Sequence, residues 1–204
     1  MKITKEWLRK NNACSSGVKW FLSQKETDAG KIMLKLIDEN IGADALWVMH
    51  KCIKTKKQAV LIAIFAAESK IDIFEKKYPE DKRPRKAIEA ARAWLENPCS
   101  KTKKDAYSAY SAYSAAASAA YYAADAYAYY GAAAYAHYAS DAFAAASASA
   151  AYAHYAAFAA ASASAAAAYT YYAAAAAADA DSDSDDKEET QIKIVNYAIK
   201  ILKL

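Results

Sequence analysis

Residues 106–130 read AYSAYSAYSAAASAAYYAADAYAYY, and the same alanine–tyrosine composition continues to Ala178. The tract from Ala106 to Ala178 contains no proline and a single glycine, Gly131. Because alanine is the strongest helix former and few breakers interrupt it, the composition predicts helix. One unbroken helix of this length would extend about 110 Å, so the tract either folds back on itself or projects as a rod.

The tract contains two near-copies, AYAHYASDAFAAASASA at 134–150 and AYAHYAAFAAASASA at 151–165. They are explained either by a structural repeat with one helix per unit or by slippage in a low-complexity coding stretch. We interpret them as a mixture of the two. Small alanine and serine faces let helices approach closely, which leaves the tyrosine rings to fill the seams between helices or to line a cavity.

The chain around the tract also shows helical periodicity, which predicts an all-α fold: a multi-helix bundle or a short helical-repeat array. A mixed-sequence N-terminal part, residues 1–99, should pack on the alanine–tyrosine helices of residues 100–178. An acidic linker, residues 179–187, should lead to a C-terminal amphipathic helix, residues 188–204, that packs back on the domain. Together these parts make one composite domain of 204 residues.

Several helix boundaries are predicted in the N-terminal part. Thr4 should cap the first helix, and Thr27 or Asp28 should cap the third. Gly42 should break the chain, so that a fourth helix starts near Asp44. The run QAVLIAIFAA, residues 58–67, is apolar on every side, which predicts a central helix that continues to Lys77 and ends at Pro79. Asp81 is the expected cap of the next helix, whose first turn contains Pro84.

The charge of the chain is unevenly distributed. Residues 1–104 contain 23 Lys and Arg against 13 Asp and Glu, whereas residues 105–204 contain 4 against 10. A basic front half attracts nucleic acid, a phosphorylated small molecule or an acidic protein. It can also dock on the acidic rear half of the same chain, and we prefer this interpretation because it needs no partner.

The three cysteines, Cys14, Cys52 and Cys99, have neither metal-ligand spacing nor the pattern of a disulfide framework, which predicts reduced thiols in the cytoplasm of a bacterial or phage-infected cell. The N-terminal residues lack the apolar core of a signal peptide, and the polar residues of the tract argue against a transmembrane segment. We expect no metal and no cofactor. The absence of a Gly-rich phosphate loop, a nucleophile elbow or an H-E-x-x-H motif argues against an enzyme.

Residues 81–94 read DKRPRKAIEAARAW and precede the Ala/Tyr-rich tail. With the helix around Trp47 and the region from Cys14 to Trp20, this block resembles the immunity proteins of bacterial polymorphic-toxin systems, whose relatives also occur in bacteriophages. The resemblance implies an all-helical, non-enzymatic protein that neutralises a harmful partner by binding it. It brings no catalytic residues.

Arginine and aromatic residues are the candidate ligand-binding groups. Arg83 and Arg85 flank a proline at a helix start, an arrangement that suits a phosphate or carboxylate, although pairing with Asp or Glu of neighbouring helices is the preferred alternative. Tyrosines at helical spacing offer stacking platforms for a base, although packing between helices is preferred for most of them. His137 and His154 share a copied Ala-His-Tyr context, so a functional pair is the weaker interpretation. The predicted ligand-binding residues are Arg83, Arg85, Trp47, Tyr107, Tyr110, Tyr130, Tyr138, Tyr155, His137 and His154.

Three classes of function remain open at this point. The preferred class is a binder that neutralises either a toxin protein or a nucleotide-derived immune signal held in a Tyr/Arg-lined pocket. The second is a structural or ice-binding protein, which Thr170 as the sole threonine of the tract disfavours. The third, a nucleic-acid binder, lacks a known reading motif. A homo-oligomer is compatible with all three, because alanine faces also pack between chains.

Overall fold

The computed structural model describes residues 1–69, 71–77, 79–106, 108–109 and 184–204. Within these ranges the chain is helical and forms no named strand, which confirms the predicted all-α class. The helices are α1 (Lys5–Lys10), α2 (Ser15–Ser23), α3 (Ala29–Asp38), α4 (Gly42–Cys52), α5 (Lys56–Glu68), α6 (Ile71–Lys77), α7 (Arg83–Glu96) and α8 (Ser184–Leu202). Residues 100–106 are helical as well.

The helix starts follow local capping chemistry. The hydroxyl of Thr4 accepts a hydrogen bond from the backbone N–H of Trp7 at 3.1 Å, and a carboxylate oxygen of Asp28 accepts one from Lys31 N–H at 3.2 Å. Both predicted caps are therefore confirmed. At the start of α5, Thr55 and Gln58 form a reciprocal capping box, which satisfies two backbone donors that would otherwise have no partner.

The prediction that Gly42 breaks the chain is wrong. The break comes earlier, at Asn40, whose φ of 59° reverses the chain after α3, and α4 then begins at Gly42 itself. A Cβ atom at position 42 would overlap the side-chain amide of Gln191, a buried residue of α8. The missing side chain therefore allows α8 to approach the start of α4 closely.

Helix α5 is central, as its all-round apolar sequence predicts. Val60, Ile62 and Ala63 are each fully buried, and the helix contacts α6, α7 and α8. The prediction that it continues to Lys77 is wrong, because α5 ends at Glu68 and α6 forms a separate helix that ends before Pro79. Ser69 lies at the C-cap of α5, and its hydroxyl donates a hydrogen bond to the carbonyl of Ala66 at 2.7 Å.

The C-terminal helix α8 packs on α3, α4 and α5. Ile194, Val195 and Ala198 are fully buried, and the ring of Tyr197 stacks on that of Phe65 with centroids 4.1 Å apart. Helix α8 begins at Ser184, so residues 184–187, assigned from sequence to the linker, are helical. Within the described ranges, no helix combines the length and hydrophobicity that crossing a bilayer requires.

Candidate functional site

The two candidate arginines at the start of α7 are both held by carboxylates. Asp81 accepts hydrogen bonds from the backbone N–H of Arg83 at 3.0 Å and from its Nε at 2.8 Å. Arg85 reaches α6, where its Nε and Nη2 donate to the two carboxylate oxygens of Glu75 at 2.9 and 2.6 Å. This is the pairing alternative that the sequence left open. Asp81 lies before α7 as expected, but the cap position itself is Lys82.

The Arg85–Glu75 pair fixes α6 against α7 electrostatically. Hydrogen bonding from the guanidinium lowers the pKa of Glu75 below its ordinary value of 4.5, and the same bond raises the pKa of Arg85. The Arg85 side chain is 37% exposed and that of Glu75 is 24% exposed, so solvent screens the attraction and the pair contributes modestly to stability.

We expect Glu75→Gln to lower the free energy of unfolding by about 0.5–1 kcal/mol at pH 7. Because the folded-state pKa of Glu75 is lowered, its stabilisation is fully present above pH 4.5 and is lost as the pH falls through the folded pKa. Urea titrations from pH 7 to pH 3 should therefore show the wild-type and variant curves converging in acid. Glu80→Gln, which changes an exposed residue two positions before Lys82, is the matched control and should have little effect at any pH.

A second ion pair joins α5 to α7. The Nε of Arg92 donates to a carboxylate oxygen of Glu68 at 2.9 Å, and this bond raises the pKa of Arg92. Tyr197 of α8 lies beside the pair, and burial raises the pKa of its phenol. Opposite charges match on this face, so it offers little net charge to a partner.

In the described part of the chain, positive charge without an ion-pair partner is instead found where α4 ends, α5 begins and the segment of residues 100–106 starts. The ammonium of Lys56 lies over the ring of Trp94, 4.1 Å from its centroid. Burial, followed by the positive charge of Lys103, lowers the pKa of Lys56. Lys51, Lys54 and Lys57 flank Lys56 in sequence, and we define the basic surface as these four lysines together with Lys103 and Trp94.

Among the described residues, no carboxylate lies within ion-pair distance of any of these five lysines. Like charges concentrated without counter-charges make a favourable contact for an acidic partner. The run KCIKTKK, residues 51–57, is a local concentration of positive charge that was not singled out from the sequence. Its connection to Trp94 and Lys103 depends on the fold.

Trp47, the third described candidate, lies apart from Arg83 and Arg85. Its ring meets that of Trp7 edge-on, with centroids 6.0 Å apart and planes at 80°. It lines a pocket of about 230 Å³ enclosed by α1, α2, α3 and α4. Neither Arg83 nor Arg85 lines this pocket, so the structure does not gather the three described candidates into one site.

The remaining predicted ligand-binding residues lie outside the described residues: Tyr107, Tyr110, Tyr130, Tyr138, Tyr155, His137 and His154. In the part of the chain that the structure does describe, no group of three or more His, Cys, Asp or Glu residues has the geometry of a metal site. The cysteines are free thiols there. Cys52 is buried, which raises its pKa to about 11, whereas Cys14 and Cys99 are exposed.

The described residues therefore define an all-helical protein with a basic, aromatic surface on its exterior. In a comparison with known families, residues 51–147 match the family described as Imm-5 like putative immunity protein. This range, a little under half of the chain, contains α5, α6, α7 and all six residues of the basic surface, and it confirms the resemblance to this family noted from the sequence. The match suggests an immunity role that is not enzymatic. No curated protein and no solved structure gives a significant match to the chain.

Proposed function

We propose that this chain neutralises a toxin protein in the cytoplasm by binding it, without catalysing a reaction, and that the basic surface is the contact. The observation that carries the proposal is the set of five lysines without a described carboxylate partner, four of them on a continuous stretch, residues 51–57. This stretch begins where the match to the immunity family begins. The toxin should present acidic side chains to it.

The contacts of Arg83, Arg85 and Trp94 favour a protein partner over a nucleotide-derived signal. A nucleotide needs cationic donors for its phosphates, yet Arg83 and Arg85 are already held by Asp81 and Glu75. Lys56 covers one face of Trp94, which reduces its use as a stacking platform for a base. The basic surface draws on three separate segments of the chain, a breadth that suits a protein interface.

The proposal predicts rescue by co-expression. Each toxin domain encoded beside a gene whose product matches the same family model would be expressed with this chain in one bacterial strain. At least one toxin should lose its effect on growth and co-purify with the chain at equal stoichiometry. The toxin proposal would be contradicted if none of the toxins were neutralised. Calorimetric binding of a cyclic nucleotide or an ADP-ribose-like molecule would then identify a nucleotide signal as the target.

A further inference from the structure

The pocket next to Trp47 has chemistry that the proposed function does not use. Its wall is largely apolar and aromatic, with Trp20, Phe21 and Trp47 among the lining residues. At about 230 Å³ it is smaller than the ~300–1,000 Å³ of pockets for drug-sized ligands, so it suits a ligand of one or two rings. It is built from α1 to α4 and therefore lies outside the range that matches the immunity family.

Asp44 gives this apolar wall a negative charge. It is half-buried on the first turn of α4, where the helix dipole favours a carboxylate. Its carboxylate forms no hydrogen bond and no ion pair with any described residue, unlike those of Glu68, Glu75 and Asp81. Asp44 therefore places a negative charge beside aromatic surface, where it can attract a cationic ligand.

Cys14 also lines the pocket and is exposed, so its reactivity can be used to detect a bound ligand. Its Sγ accepts a hydrogen bond from Gly17 N–H at 3.4 Å, and it lies 3.2 Å from the hydroxyl of Ser16. These contacts lower the pKa of its thiol, although the negative charge of Asp44 opposes the shift. The two side chains lie on either side of Gly17, where a Cβ atom would be 3.3 Å from the Sγ of Cys14 and 3.9 Å from a carboxylate oxygen of Asp44.

We propose that this pocket binds a small organic cation, a protonated amine carried on a flat aromatic body. The ammonium lies against the carboxylate of Asp44, and the ring packs against the indoles of Trp20 and Trp47. Aromatic faces attract cations, and the effect grows when the site is partly desolvated. Lys51 demonstrates the same attraction on Trp47, since its ammonium lies 5.8 Å from the ring centroid, although Lys51 does not line the pocket.

The test measures protection of Cys14 from alkylation by iodoacetamide in the intact protein, read by mass spectrometry. Tryptamine and indole-3-propionate supply the same ring with opposite charges. Millimolar tryptamine should slow alkylation of Cys14 at least fivefold, and indole-3-propionate should slow it less than twofold. Cys99 is the internal control, because it is also an exposed thiol with a lowered pKa but does not line the pocket.

The variant Asp44→Asn should remove the difference between the two ligands while leaving the helical circular dichroism unchanged. Equal protection by amine and acid, no protection by either, or an unaltered preference in Asp44→Asn would each overturn the proposal. The comparison of the two ligands on the wild-type protein needs no variant, so the proposal stays testable if Asp44→Asn does not fold. Toxin rescue and Cys14 alkylation are separate measurements, and the pocket and the basic surface share no residue, although Lys51 of the basic surface lies over Trp47 of the pocket.

Discussion

Reversing two charges on the basic surface, Lys56→Glu together with Lys57→Glu, is expected to weaken toxin binding by about 100-fold. The change replaces attraction to acidic side chains by repulsion at the part of the surface where Lys56 already lies over Trp94. Stability should fall by only about 1 kcal/mol, the scale of a lost cation–π contact at a partly exposed site. Calorimetry on the purified pair and a urea titration of the free chain measure the two quantities.

The matched control is Lys2→Glu with Lys5→Glu, which changes net charge equally at exposed positions near the N-terminus. It should weaken binding less than fivefold. If the two double variants lost the same toxin-binding affinity, the effect would come from net charge in general and the basic surface would not be the contact. A large fall in the stability of Lys56→Glu/Lys57→Glu would instead favour the alternative that the basic front half docks on the acidic rear half of the same chain.

Ile194→Asp is expected to be strongly destabilising, lowering the free energy of unfolding by about 4 kcal/mol or more. Ile194 is fully buried where α8 packs on the core, so the variant loses apolar burial and places a carboxylate among apolar side chains. For a chain of this length such a loss corresponds to a fall in Tm of about 10 °C or more.

Thermal denaturation followed by circular dichroism checks this expectation. Asn196→Asp introduces the same carboxylate at an exposed position of α8 and should change Tm by no more than about 2 °C. If Ile194→Asp melted with the wild-type protein, α8 would contribute little to the stability of the fold, and its packing on α3, α4 and α5 would be incidental.

The features of the fold that sequence predicts well are those with local causes. Thr4 and Asp28 cap helices because their side chains reach a backbone N–H three residues ahead, and the apolar spacing of α8 follows from the helical period. Gly42 could not be interpreted in this way. Its role depends on Gln191, which is distant in sequence and reaches Gly42 only after α8 has returned to the domain.

The candidate site also combines features with local causes and features that depend on residues distant in sequence. Residue type and helix position identify Arg83 and Arg85 as candidate binding residues. They also show that each arginine can bind either a ligand or a carboxylate of the protein. Arg83 pairs with Asp81, only two residues before it, whereas the pairing of Arg85 with Glu75 depends on how α6 folds back toward α7, and sequence spacing does not specify that turn.

The basic surface and the pocket beside Trp47 escape sequence reasoning because each joins distant segments. Lys56, Trp94 and Lys103 meet only when α5, α7 and the segment of residues 100–106 have packed. Cys14 and Asp44 come together because α2 and α4 enclose the same pocket. The sequence identifies Trp47 as a candidate ligand-binding residue, but it does not identify these two neighbours.

The central claim is that the chain neutralises its target by binding and leaves the target chemically unchanged. Native mass spectrometry of the chain mixed with a toxin that it neutralises, followed by denaturation and a second mass measurement, tests this most directly. We predict a complex of one chain with one toxin, from which both components are recovered at their original masses with toxin activity restored on separation. A toxin recovered with an altered mass, or protection of cells without any complex, would contradict the claim.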